Sequence, residues 1–324
     1  MQLSALVTLA CASAASAKNI LLTNDDGWLA TGIRAAYNEL TKAGHNVYLV
    51  APAEQRSGYG GTFMFSYTDT LFHDDQFHYK KAGDPAWGHE DFDDHIWYFN
   101  ATPAACVAFA FDYLLPNYFA NTSIDLVVAG PNQGTNPDDF YTLSGTIGAT
   151  YNAVYRGYPA VAFSGSNTNN SFYKDSLNED PNDPQNIYGS KMVEFVDTLF
   201  EAQGENEVLL PIGTGLNVNF PLVSTDSKTG CQDPKFTFSR LTGEKVITLG
   251  LKYNETSGLF NSDVLAALGV QMAYNGDASL PSEDLVLDSY DCYSPVSVFS
   301  VDYTAPTTPQ GQVKTLLNKI LVDL

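Results

Sequence analysis

Short apolar runs bounded by turn residues recur along the chain: NILLT at Asn19–Thr23, NVYLVAPA from Asn46, IDLVVAG from Ile124, PAVAFSG from Pro159 and GLNVNFP from Gly215. Such runs are too short for helices and most lack a polar face, as expected of strands covered on both sides. Between them apolar side chains recur at helical spacing. Ile33, Ala36, Tyr37 and Leu40 do so within residues 32–43, closed by Gly44, and TPAACVAFAFDYLL, SGTIGATYNAVYRG and residues 187–203 continue the pattern. Strand, helix, strand with short connections is a βαβ unit, whose right-handed crossover requires a parallel sheet. The fold class predicted is α/β, a mostly parallel sheet with helices on both faces.

Beyond Pro221 the period changes. KFTFSRLTGEKVITLGLKYNE alternates around Thr242 and Gly243, which predicts a protruding β-hairpin at about residues 232–256. The tail GQVKTLLNKILVDL, residues 311–324, carries Val313, Leu316, Leu317, Ile320 and Leu321 on one side of a helix. That stripe needs a cover, either the chain's own body or a second copy in a homodimer. Residues 167–186 are dense in Asn, Asp, Ser and Pro and read as a surface loop. Residues 73–95 hold four histidines at spacings unlike a compact zinc set and also read as loop.

Composition adds a location. MQLSALVTLACASAASA has the apolar run and small residues of a secretory signal peptide, residues 1–17, leaving one domain over residues 18–324. No later run reaches the length of a membrane-spanning helix. Asn100, Asn121, Asn169 and Asn254 begin Asn-X-Ser/Thr triplets, which fits a secreted glycoprotein. Cys106 sits in an apolar helical stretch as a buried thiol, whereas Cys231 and Cys292 lie in loop-like surroundings where they can pair in an oxidising compartment. The formal net charge of -21 argues against nucleic-acid polymers and anionic membranes as partners. It also repels small anions, so a site for a phosphorylated substrate needs a local positive centre.

Functional groups of an open parallel sheet gather at the carboxyl ends of its strands. The first strand ends in Asn24, Asp25, Asp26 and Gly27; the second leads to Ser57 and Gly58; DLVVAG leads to PNQGTN with Asn132 and Asn136; the next helix opens with Ser144, Gly145 and Thr146. Adjacent aspartates repel and raise each other's pKa unless a cation intervenes. Asp25, Asp26, Ser57 and Asn132 form an all-oxygen set of the kind that magnesium, manganese or calcium prefers. The helix start at Ser144 offers free N–H groups and hydroxyls to a phosphate. Together they predict a clamp for a phosphate monoester.

ILLTNDDG, VVAPAEQRSGYG, VVAGPNQGTN and YTLSGTIGATYNAVYRGYPAVAFS resemble, in order, the signatures of the survival protein SurE family of metal-dependent nucleotidases and acid phosphatases. LNVNFP and SPVSVFSVDYTAP extend the resemblance thinly, and the leader and sequons suggest a secreted, fungal-type member. The resemblance implies a Rossmann-like domain, a C-terminal helix often exchanged between subunits, Asp25, Asp26, Ser57 and Asn132 as metal ligands, and Asn24, Asn136, Ser144, Gly145 and Thr146 facing the phosphate. Ala101 and Ala105 stand where the family usually has glycine and aspartate near the substrate entrance. A dinucleotide-dependent oxidoreductase would need the glycine fingerprint that is missing after the first strand. A non-catalytic extracellular binding protein of the same fold is the other alternative.

Overall fold

The structure is a computed structural model, and it describes residues 17–167, 169–224, 230–271, 276–317, 319, 320 and 322. All of the predicted leader but Ala17 lies outside the described residues, as does Leu321 of the C-terminal stripe. The strands are β1 (Asn19–Thr23), β2 (Asn46–Pro52), β3 (Trp87–His89), β4 (Ile96–Phe99), β5 (Leu126–Gln133), β6 (Ala160–Gly165), β7 (Thr214–Phe220), β8 (Lys235–Phe238), β9 (Ile247–Asn254), β10 (Leu259–Ala266) and β11 (Tyr293–Ser300). Nine of them form one sheet in the order β3-β4-β2-β1-β5-β6-β7-β11-β8. The run from β4 to β7 is parallel throughout; β3 and β11 join it antiparallel.

Alternation along β1 explains the layering. Ile20 and Leu22 point into one core with Ile33 and Leu40 of α1 (Thr31–Lys42), while Leu21 points into the other with Cys106 and Val107 of α2 (Pro103–Phe109). A π-helical turn at Ala110–Leu114 carries α2 into α3 (Leu115–Tyr118). The short α4 (Phe140–Leu143) precedes α5 (Gly145–Tyr155), which lies beside α2. After the single turn α6 (Tyr173–Ser176), α7 (Pro184–Gln203) covers α1 on the opposite face. The α/β class read from periodicity is therefore the observed fold, with both sheet faces covered.

The protruding hairpin is not where alternation put it. β8 is an edge strand of the main sheet, parallel to β11, and the two-stranded excursion is β9 with β10, turning at residues 255–258. Period-2 alternation marks a strand but not its partner. Phe236 packs into the core against Phe195, and the loop around Gly243 lies against Ser282 instead of closing a turn. The remaining helices are α8 (Glu283–Ser289) and α9 (Thr307–Leu317). α9 starts before residue 311 because Pro309 sits in its first turn, where no N–H is needed.

Cys231 and Cys292 form a disulfide, and Cys106 is a buried free thiol. The tract at 167–186 is more than a surface loop: the N–H of Thr31 donates to the Ser171 carbonyl at 3.0 Å and that of Tyr173 to Leu29 at 3.0 Å, fastening it to the chain that follows Asp26. Among the described residues no helix is long and apolar enough to cross a membrane.

Candidate active site

The end of β1 forms a tight turn. Asn24 donates from Nδ2 to the Gly27 carbonyl at 3.2 Å and accepts from the Gly27 N–H at 3.2 Å, so its amide closes the turn from a fully buried position. The turn lifts Asp25 and Asp26, 2% and 1% exposed, off the sheet edge.

Asp25 meets the start of α5. Its Oδ2 accepts from the Gly145 N–H at 3.1 Å and its Oδ1 from the Thr146 hydroxyl at 2.8 Å. A Cβ on Gly145 would stand 2.8 Å from that of Asp25, so this close approach needs glycine. Ser144 caps the helix, its Oγ accepting from the Ile147 N–H. Asp26 meets β5: its Oδ2 accepts from the Gln133 N–H at 3.0 Å, and the neighbouring Asn132 donates to the Gly134 carbonyl at 2.7 Å. Burial pushes the Asp25 carboxyl up against the opposing bonds from Thr146 and Gly145. Burial, and then the charge of Asp25, push Asp26 well above the ordinary carboxylate range.

Two atoms identify what the site lacks within the protein. Among the described residues, Oδ1 of Asp26 and Oδ1 of Asn132 are buried oxygens without a hydrogen-bond partner. Orphaned acceptors beside a repelling carboxylate pair fit a hard cation, and the donor chemistry is all oxygen. Ser57 lies in the turn after β2, whose Arg56 N–H donates to the Asp25 carbonyl at 2.6 Å; its hydroxyl is exposed at the rim. Asn136 is buried and donates from Nδ2 to Ser164 Oγ at 2.7 Å.

The structure thus brings together Asp25, Asp26, Asn132, Ser144, Gly145 and Thr146, with Ser57 at the edge and Asn24 and Asn136 as buried supports. Sequence reading missed Asn170, which donates to the Asp26 carbonyl at 3.2 Å from the polar tract, and Gln133, whose contribution is a main-chain N–H. Neither carries a residue-type signal. It also passed over Asn217 and Asn219, whose alternation with Leu216, Val218 and Phe220 in a doubly covered strand was a visible anomaly.

An open parallel sheet with two buried carboxylates at one strand end, facing a helix N-terminus, defines an α/β protein with an acidic site at the carboxyl end of its central strands. A family model described as Survival protein SurE matches residues 20–244. An acid phosphatase of Yarrowia lipolytica is 44% identical over 310 residues, 95% of this chain and 86% of that protein. The 5'-nucleotidase SurE of Lawsonia intracellularis is 31% identical over 215 residues, 65% of this chain and 69% of that protein. The SurE protein of Aquifex aeolicus shares the fold, with a TM-score of 0.61 at 22% identity over 92% of this chain and 99% of that one. The chain belongs to the survival protein SurE family.

Proposed function

We propose that the protein is a divalent-metal-dependent phosphomonoesterase acting on nucleoside monophosphates or general phosphate esters. The observation that carries this reading is the pair of unpartnered buried oxygens, Asp26 Oδ1 and Asn132 Oδ1, beside two adjacent carboxylates whose pKa values burial raises. The names of the relatives, acid phosphatase and 5'-nucleotidase, support it.

Asp25, Asp26 and Asn132 would hold the ion, with Ser57 closing the set from the rim. When bound, magnesium or manganese supplies Lewis-acid polarisation of a phosphoryl oxygen and a water of lowered pKa. The chain's own residues then do three things. Gly145 and Thr146 fix both Asp25 oxygens, so the carboxylate cannot rotate away from the site. The opening turn of α5 directs its dipole at the phosphate and stabilises the charge on its equatorial oxygens. Asn136, with one amide hydrogen on Ser164, keeps the second for the phosphate. Water attack at phosphorus forms one P–O bond and breaks the ester bond, with the proton passing to the leaving alcohol.

Hydrolysis of p-nitrophenyl phosphate and of nucleoside monophosphates, with and without EDTA, tests the reading. Turnover abolished by EDTA and restored by manganese is expected. Full activity in excess chelator overturns the metal dependence, and phosphate binding without turnover identifies a non-catalytic binding protein instead.

We further propose that the protein is secreted and forms a homodimer. The disulfide fits an oxidising compartment. Val313, Leu316 and Ile320 of the C-terminal segment are 52%, 81% and 76% exposed, an apolar stripe that a second subunit would cover. Light scattering on the full chain and on a truncation after Pro309 checks this; a full-length monomer rejects it.

A further inference from the structure

Beneath the phosphate end of the site lies a carboxyl group with no evident task. Glu283, the first residue of α8, is 0% exposed, and every side chain bonded to it is a neutral amide or hydroxyl. Ser282 caps the helix, and the Glu283 N–H donates to the Arg240 carbonyl at 3.0 Å, so the carboxyl is aimed at β7 by a rigid corner. There, Leu216, Val218 and Phe220 fill the apolar core, while Asn217 and Asn219 point to the opposite face, both 0% exposed.

The two asparagines connect Glu283 to the site. Asn217 Nδ2 lies 3.2 and 3.0 Å from the Glu283 oxygens, and Asn219 Nδ2 lies 3.1 Å from Oε2. Asn219 Oδ1 in turn accepts the main-chain N–H of Asn136 at 2.7 Å, and Asn217 Nδ2 reaches the main-chain carbonyl of Asn136 at 3.2 Å. The Asn136 side chain is held by Ser164, which sits beside Asn219 on the neighbouring strand. Asn136 is thereby fixed at its N–H, its carbonyl and its side chain.

We propose that Glu283 is a positioning residue for the reaction: it orients the Asn217 and Asn219 amides so that they clamp the main chain of Asn136 and present its side chain to the phosphate. This rests on the phosphatase reading and on Asn136 facing the phosphate. A burial this complete is costly for a carboxyl without a cation, and apolar groups of similar volume would serve stability as well or better. The clamp gives the cost a purpose, because Glu283 accepts from both asparagines at once and neither amide can then flip. A glutamine at this position would turn one acceptor into a donor facing donors, and Asn217 would have to rotate away from the Asn136 carbonyl.

The test compares wild type, E283Q, N219A and the double variant in excess manganese. It reads KM and kcat for p-nitrophenyl phosphate, Ki for inorganic phosphate, manganese affinity and the thermal melt. We expect E283Q to melt at or above the wild-type temperature and to keep manganese affinity within about twofold. Ki and KM should rise by about tenfold, the range of supporting contacts to a ligand-binding group. N219A should do the same, and the double variant should be no worse than N219A alone, since the residues act as one unit. An E283Q protein with wild-type KM and Ki, or one whose losses add to those of N219A, overturns the proposal. If E283Q fails to fold, N219A reads the clamp from its other end by the same criteria. Wild type that neither turns over phosphate esters nor binds phosphate rejects the functional reading itself, before any variant is compared.

Discussion

Two buried acidic centres flank the turn after β1, and they are built differently. Glu90 is 0% exposed and is neutralised inside the protein: Arg34 donates to Oε1 at 2.6 Å, Tyr173 to Oε1 at 2.9 Å and Tyr79 to Oε2 at 2.9 Å. Arg34 also donates from Nε to the Trp28 carbonyl at 2.7 Å and lies over the Tyr173 ring at 4.2 Å. Asp25 and Asp26 are as deeply buried, but among the described residues their short hydrogen bonds come from main-chain N–H groups and one hydroxyl, and Asp26 Oδ1 accepts none. The first centre is complete without a ligand. The second leaves an acceptor open, which on the proposed reading a cation from outside completes; that is the difference between an acid satisfied by the fold and one kept for a ligand.

The comparison breaks most visibly in activity. Asp25→Asn should lower turnover of p-nitrophenyl phosphate by about a hundredfold or more, since it removes a proposed metal ligand. The melt of the metal-free protein should stay level or rise, because a repelling pair is relieved. Turnover near wild type in this variant places the chemistry elsewhere.

The opposite signature belongs to the other centre. Arg34→Met leaves Glu90 buried without its countercharge, and should cost about 3–5 kcal/mol in urea unfolding. Added manganese should not restore it. The double variant R34M/E90Q should recover much of the loss, because the uncompensated charge goes with the carboxylate. A loss that manganese repairs would show that the two centres are one.

The pH dependence of stability sharpens the contrast. Burial raises Asp25, Asp26 and Glu283 above their unfolded values, so the stability linked to them is intact below the ordinary carboxylate range and is lost as pH rises through their folded pKa values. In EDTA the wild type should therefore lose stability, as pH rises above the ordinary carboxylate range, more steeply than Asp26→Asn. Manganese should flatten the wild-type curve and leave the variant's unchanged. Coincident wild-type and variant curves in EDTA would mean that Asp26 is not a strained acid.

Much of this was legible in the chain, for a physical reason. Buried parallel strands and their crossover helices are dictated by local periodicity, and strand-end loops inherit their meeting point from the topology. Asp25, Asp26, Asn132 and the Ser144 helix start could thus be assembled from separate motifs. What could not be read was pairing and support. Phe236 and Phe238 alternate equally well in a hairpin or at a sheet edge. Asn170 reaches Asp26 from a tract whose composition suggests only solvent, and Glu283 is one acid among many until the sheet buries it.

The smallest effect expected concerns the sequons, where the two sides of the comparison meet the surface. Asn121 and Asn169 are exposed and Asn254 is half-buried on the hairpin turn, open to an attached glycan. Asn100 differs: its Oδ1 accepts from Arg56 at 3.0 Å, and it lines a cavity of about 200 Å³ with Arg56, Thr102 and Phe65, beside the Ser57 turn. A glycan on its Nδ2 would fill the cavity next to the proposed metal site. Glycopeptide mass spectrometry on protein from a eukaryotic secreting host should find Asn121 and Asn169 occupied, Asn100 bare and Lys18 near the mature start. Enzymatic removal of the glycans should leave KM and kcat within about twofold, since Asn121 precedes β5, at the end of the sheet opposite the site, and Asn169 is exposed. An occupied Asn100 in fully active protein would mean that the cavity is not part of the substrate's path.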